Sequence, residues 1–287
     1  MNASTMIKKS AQLLLACSFL LLTSCSTTFA YNNLTWLSSF WVDDYVDLNN
    51  SQTEQFKDII KVTRQWHRSV ELPKYKQDLL ALQHTFNSDF TRADLSEQLM
   101  VVKRHWSTLL AQVKTPLTAL AATLSSAQRS ALINNIRHEL DEELENYNEQ
   151  DAQKRQQQRL AKQLDYYKQW LGKLTPAQTQ LITTANEQHI DTFILWQHYR
   201  QTRLNALQQA LNLDPRDTMQ FNQQMELIIS DRDAFISDEL AVKNQANLMN
   251  QVTLLVSLNA TLSNKQRRHV NKHFAELIDT VDGLIDD

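Results

Sequence analysis

The chain has 287 residues, with 29 Lys and Arg against 32 Asp and Glu, a formal charge of −3. That mildly acidic balance argues against nucleic acid as a partner, which requires clustered positive charge. With only two glycines, four prolines and two cysteines, the chain has little material for phosphate loops, nucleophile elbows, tight hairpins or a disulfide framework.

Lys8 and Lys9 form a short basic segment ahead of an apolar run from Ala11 to Leu22, broken only by Gln12 and Ser18. Twelve positions are too few for a membrane-spanning helix, which needs about 20, but they fit the apolar region of a secretory signal. Leu22-Thr23-Ser24-Cys25 then resembles the bacterial lipoprotein signal. The resemblance implies removal of residues 1–24 and lipid on the thiol and amine of Cys25. With Ser26 next rather than aspartate, it also implies an outer-membrane anchor facing the periplasm of a Gram-negative cell. The competing reading, an ordinary signal in which Cys25 is incidental, has only Thr28-Phe29-Ala30 as a cleavage site, with a bulky middle residue. Loss of residues 1–24 leaves 263 residues with 27 basic and 32 acidic side chains, a balance of −5. Cys17 leaves with the signal and Cys25 is acylated, so no disulfide is expected and stability must come from packing.

Abundant Leu, Gln, Ala, Lys, Arg and Glu favour helix, and the expected fold is all-α. After a linker of a few residues, Leu34, Trp36, Leu37, Phe40, Trp41, Tyr45 and Val46 recur at spacings of three and four and line one face of a short helix. Six aromatics lie between Phe29 and Tyr45, which invites a membrane-interface reading. The stretch has no Lys or Arg between Lys9 and Lys57, whereas Asp43, Asp44 and Asp47 lie at its end, so core packing of this face is the expectation.

One five-residue device then marks four helix starts: Leu48-Asn49-Asn50-Ser51-Gln52, Leu124-Ser125-Ser126-Ala127-Gln128, Leu174-Thr175-Pro176-Ala177-Gln178 and Leu262-Ser263-Asn264-Lys265-Gln266. In each, Asn, Ser or Thr caps the free amides and the Gln three residues later reaches back. The starts at Leu48 and Leu174 lie 126 residues apart and those at Leu124 and Leu262 lie 138 apart, as a duplicated pair of helical hairpins would place them.

Between these marks the periodicity predicts long helices. One runs from Thr53 to Leu72, with Pro73 opening the next through Phe86; another runs from Asp94, with Pro116 kinking or dividing it. The polar stretch 148–159 is either a solvated part of one helix or a flexible polar connection; the favoured reading is one helix from 127 to 171, about 65 Å at 1.5 Å per residue, with Gly172 as its left-handed cap. Pro176 opens a helix extending to Leu211, Asp214-Pro215 one extending to Leu258, and Asn264 the last, to about Ile285. The expectation is an elongated bundle of eight or nine long helices over residues 25–287, with two helical halves meeting near residue 172 as one way to divide it.

Candidate chemistry is sparse. His269 and His273 are an i, i+4 pair able to meet one ion, but with no carboxylate or Cys placed beside them they are expected to be ordinary helical histidines. His67 beside Trp66 and Arg68, and His105 beside Trp106, are expected as polar neighbours of core tryptophans. Glu139, Asp141, Glu142, Glu143 and Glu145 spread over more than one helix face and are expected to form a solvated acidic surface. No catalytic residue, cofactor site or metal site is assigned, and the chain is not expected to be an enzyme.

The Leu-Thr/Ser-x-x-Gln device resembles the LTxxQ motif of the small periplasmic chaperones of the Spy/CpxP type, which implies an all-helical, ATP-independent binder of polypeptides. Tyr31-Asn32-Asn33-Leu34, Trp41-Val42-Asp43-Asp44-Tyr45-Val46-Asp47-Leu48, Trp66-His67-Arg68 and Glu71-Leu72-Pro73-x-Tyr75 resemble a family of bacterial lipoproteins known only as a domain of unknown function. That second resemblance implies a lipid anchor and a helical fold and supplies no reaction. The expected function is therefore a lipid-anchored envelope protein that binds unfolded clients as a holdase. The alternative is an adaptor that docks one folded partner, through the aromatic N-terminal helix among other surfaces.

Overall fold

The structure, a computed structural model, describes residues 24–88, 90–213 and 218–287, without the side chains of 24–26. The segment expected to be a signal, the Cys25 side chain expected to carry lipid and the Asp214-Pro215 start lie outside what is described. Every regular element among the described residues is helical: α1 (Ser24–Asn32), α2 (Leu34–Asp43), α3 (Asn50–Trp66), a π turn (His67–Glu71), α4 (Leu72–Asn87), α5 (Arg92–Ala122), α6 (Ser126–Asn148), α7 (Ala152–Leu171), α8 (Pro176–Glu187), α9 (Phe193–Leu211), α10 (Thr218–Ser230), a 3-10 turn (Asp233–Phe235), α11 (Asp238–Ala260) and α12 (Asn264–Asp286). No described helix is long and apolar enough to cross a membrane.

The helices are more numerous than the sequence periodicity suggests because apolar spacing continues across breaks that polar side chains impose. The expected single helix from 127 to 171 is interrupted at residues 149–151, where the Asp151 carboxylate accepts the Lys154 N–H at 2.7 Å and starts α7. The helix opened by Pro176 ends at Glu187 rather than Leu211. Its link to α9 is held by Asn247, which accepts the Ile190 N–H at 2.9 Å and donates to the Ile190 carbonyl at 2.8 Å. Asn247→Ala removes both bonds and is expected to cost about 1–2 kcal/mol, read as a lower urea midpoint with faster amide exchange at Ile190. The helix expected to reach Leu258 stops at Ser230, and Ser237 restarts the chain by accepting the Leu240 N–H at 3.2 Å. Pro116, by contrast, neither ends nor divides α5, and a short helix α1 occupies the position expected to be linker.

The described residues form two compact units, each assembled from three separate segments: those within 24–70, 108–147 and 197–235 in unit 1, and those within 71–107, 148–196 and 236–287 in unit 2. Gly172, near which the sequence reading places the meeting of two halves, lies inside unit 2. In unit 1, Ile133 and Leu140 of α6 pack with Leu204 and Leu211 of α9, and Ala210 packs with Met225 and Ile228 of α10. In unit 2, Tyr167 and Leu171 of α7, Ile182 and Ala185 of α8, Leu254 and Leu258 of α11, and Val270 and Phe274 of α12 share one core.

The four cap devices meet in pairs inside these units. In unit 1, Gln52 Nε2 donates to Gln128 Oε1 at 3.2 Å and Gln128 Nε2 returns a bond to Gln52 Oε1 at 2.7 Å. In unit 2, Gln178 and Gln266 do the same at 3.2 and 2.9 Å. Each glutamine oxygen also accepts the N–H of its own cap residue, Asn49, Ser125, Thr175 or Ser263, at 2.8–3.1 Å. Each second amide hydrogen goes to the carbonyl five residues before the partner glutamine: Gln52 to Thr123, Gln128 to Asp47, Gln178 to Thr261 and Gln266 to Lys173. Both hydrogens and both oxygen lone pairs of every glutamine are thereby occupied. The same wiring in both units gives the repeat offsets in the sequence a structural counterpart.

Candidate functional site

Helix α2 carries its large side chains on the wrong side for a core helix. Ser38 is buried at 7% exposure, and Ser38 and Ser39 turn their hydroxyls back onto the Thr35 carbonyl at 3.2 and 3.0 Å. Small, internally bonded side chains let α2 approach α3 closely. Trp36, Phe40 and Trp41 are consequently 57%, 56% and 49% exposed, and Phe29 of α1 is also exposed. Trp36 and Phe40 meet edge to face with ring centroids 4.8 Å apart. The expectation that this face is core is overturned for Trp36, Phe40 and Trp41, whereas Val46 is buried and Leu34, Leu37 and Tyr45 are half-buried: the periodicity groups these residues, but on α2 Ser38 is buried and the three aromatics are not. Three clustered large aromatics on one exposed helix are unusual for a surface with no binding role.

The motifs that carry the lipoprotein-family resemblance hold this surface and its surroundings in place. Tyr31 Oη lies 3.1 Å from His67 Nδ1 and 3.3 Å from the Arg64 carbonyl, Arg68 donates to Asn32 Oδ1 at 2.5 Å and covers the Tyr31 ring at 5.5 Å, and Arg64 bonds the Asn32 carbonyl. His67 is thus the partner of a tyrosine rather than a neighbour of Trp66 alone. Burial raises the Tyr31 pKa even though Arg68 opposes it. Further along, Tyr45 Oη donates to Glu139 at 2.5 Å while its carbonyl accepts from Asn135 at 3.0 Å. Burial first, and then that bond to a carboxylate, raises the Tyr45 pKa and keeps the phenol protonated.

The acidic cluster of α6 is only partly a solvated surface. Glu139 serves Tyr45, and Glu143, 10% exposed, pairs with Arg200 at 2.5 Å, while Asp141 and Glu145 are exposed. His105 is also more than a polar neighbour of Trp106. Its Nδ1 lies 3.1 Å from Glu71 Oε2 and its Nε2 2.6 Å from Asp78 Oδ2, with the Tyr75 ring edge to face at 4.3 Å. Glu71 and Tyr75 are both residues of the fourth quoted motif, which here places a buried carboxylate and an aromatic ring against His105. His269 and His273 converge on the Gln169 carbonyl of α7, and Glu276, three residues beyond His273 on α12, supplies the carboxylate that the sequence reading had not placed with them. Among the described residues no three His, Cys, Asp or Glu side chains come together as ligands for a metal ion.

The comparisons place the chain without assigning it a reaction. Residues 44–240 match the model of a family of unknown function, DUF6279, and the chain belongs to that family. No curated protein and no solved structure matches the chain.

Proposed function

We propose that this member of the DUF6279 family is a lipid-anchored envelope protein that binds other polypeptides, acting as an ATP-independent holdase in the periplasm with its anchor on Cys25 in the outer membrane. The observation that carries the reading is the exposure of large apolar side chains in both units. Phe29, Trp36, Phe40 and Trp41 in unit 1 are joined by Leu80, Met100, Val102 and Val242 in unit 2. Apolar side chains set among charged neighbours can hold an unfolded segment without nucleotide, because burial of the client's apolar surface supplies the driving force. The Leu-Thr/Ser-x-x-Gln resemblance to the Spy/CpxP chaperones agrees with this class of activity. The paired glutamines themselves are saturated internally, so they hold the frame and the exposed side chains make the contacts.

A second reading, an adaptor for one folded partner, is favoured by the concentration of aromatics on α2, since interface energy gathers in a few Trp, Tyr and Arg side chains. Chemically unfolded clients diluted into the full chain separate the two. A holdase suppresses aggregation of unrelated clients at near-stoichiometric ratio, and the triple substitution Trp36→Ser/Phe40→Ser/Trp41→Ser lowers that suppression several-fold. An adaptor ignores these clients and captures one stoichiometric partner from crosslinked envelopes. Cys25→Ala tests the anchor: the variant should leave the membrane fraction, and a wild-type chain that takes up no labelled lipid would remove that part of the reading.

A further inference from the structure

The imidazoles of His269 and His273 are placed as metal ligands. His269 Nε2 and His273 Nε2 are 3.3 Å apart and lie 3.0 and 2.9 Å from the Gln169 carbonyl oxygen. These three atoms form a nearly equilateral triangle. A first-row divalent ion bound at about 2.1 Å by nitrogen and oxygen, with angles between octahedral and tetrahedral, spaces adjacent ligands by about 2.9–3.4 Å. All three edges fall in that range.

The hydrogen bonding points the same way. His273 Nδ1–H donates to the Glu276 carboxylate at 3.1 Å, a tautomer that leaves the Nε2 lone pair of the same ring on the side of His269 Nε2 and the Gln169 carbonyl. A cation at the centre of the triangle would take that lone pair while Nδ1–H still donates to Glu276. A carboxylate behind a ligating histidine is the usual orienting partner in such sites. Gln169 lies in the last turn of α7, where carbonyls lack an onward N–H and the helix dipole is negative, which favours a cation. The i, i+4 spacing on α12 holds both rings on one face, and Val270, between them in sequence, and Phe274, just after them, anchor the helix in the unit 2 core.

We infer that His269, His273 and the Gln169 carbonyl form a binding site for one divalent transition ion of the imidazole-preferring class, Zn2+ or Cu2+, with water completing its coordination. Both histidines are partly exposed, so the ion has a path from solvent. The site is open and held by three protein atoms, as in metal centres that leave positions for exchange, and all three belong to unit 2.

The test is titration of the metal-stripped, detergent-solubilised full chain with Zn2+ against a chromophoric chelator. One equivalent is expected to bind, at least tenfold more weakly in His269→Gln and His273→Gln, and about tenfold more weakly in Glu276→Gln, which leaves the ligands in place. Zinc should raise the thermal midpoint of the wild type by several degrees and leave the two histidine variants unmoved. Should the histidine variants fold poorly, Cu2+ quenching provides a second readout: the Trp170 ring lies 5.4 Å from that of His273, and Trp170→Phe should abolish most of the quenching while retaining both ligands. The inference is overturned by absence of stoichiometric zinc binding, by binding equal in the histidine variants, or by quenching unaffected by Trp170→Phe. In those cases the pair serves only to cap the end of α7.

Discussion

Gln178→Glu is expected to lower the stability of unit 2 by about 3 kcal/mol, a large effect for exchanging one atom type at constant shape. Gln178 is fully buried. Its Nε2 donates to Gln266 Oε1 at 3.2 Å and to Thr261, where the hydroxyl lies at 3.2 Å and the carbonyl at 3.4 Å. A carboxylate there has no hydrogen for either acceptor. It sets oxygen against oxygen in a site without water, or must itself take up a proton to recover one bond. The same exchange at Gln128, which is partly exposed in the matching pair of unit 1, should cost about half as much because water can reach the lost bonds. Gln178→Leu and Gln266→Leu should each destabilise, while the double substitution falls short of their sum by at least about 1 kcal/mol, since neither amide is then left facing an unpaired group. Urea midpoints at constant slope provide the comparison. Strict additivity would mean that the two amides act only as separate helix caps.

How the glutamine device appears in sequence and in structure shows what local reading can reach. A cap residue and a glutamine three positions later interact within one turn, so all four starts are visible from spacing alone. The amide–amide bonds join residues 76 apart in unit 1 and 88 apart in unit 2, and no local signal distinguishes a glutamine that only caps from one that also reaches across. The offsets of 126 and 138 residues were legible and pointed to a duplicated pair of hairpins, but the glutamine pairing was not, because the offsets relate the two units while the contacts lie within each. The breaks at 149–151 and 188–192 were missed because they contain neither Gly nor Pro. Asp151 offered a cap signal of the ordinary kind, whereas Asn247 acts from α11 on a loop 57 residues earlier and offered none. Helix α2 shows a further limit: a period of 3.6 identifies two faces, and only packing says which turns inward. Its serines were the available clue, since small side chains allow close approach of helices. The pairing of Glu276 with His273 was open to reading at i, i+3, but the third partner of that cluster, a carbonyl about 100 residues away, was not.

Glu71→Ala is expected to cost about 3–5 kcal/mol, because the residue is 1% exposed and holds the charge to which a histidine and a lysine are tied. Its two oxygens are bonded separately, Oε1 to Lys74 Nζ at 2.5 Å and Oε2 to His105 Nδ1 at 3.1 Å, and His105 extends the chain of charge to Asp78. Lys74 is half exposed and partly screened by water, so truncation acts chiefly on His105, only 15% exposed, whose Nδ1 loses its buried partner while Nε2 keeps Asp78. The pH dependence follows from the same geometry. Burial alone would raise the Glu71 pKa, but hydrogen bonds from Lys74 and His105 outweigh it and hold the carboxyl below its ordinary range. A carboxyl with a lower pKa in the folded than in the unfolded chain adds stability that is fully present above the unfolded value, near 4.3, and is lost as pH falls through the folded one. Urea midpoints of the wild type should therefore fall below about pH 5, with part of that fall absent in Glu71→Gln, which starts lower but changes less with acid. If the two proteins lose stability in parallel from pH 6 to pH 3, the acid sensitivity belongs to other carboxylates and Glu71 only fills space at the head of α4. A shallower curve for the variant would show that the motif Glu71-Leu72-Pro73-x-Tyr75 contributes a buried charge and not only the helix start that Pro73 marks.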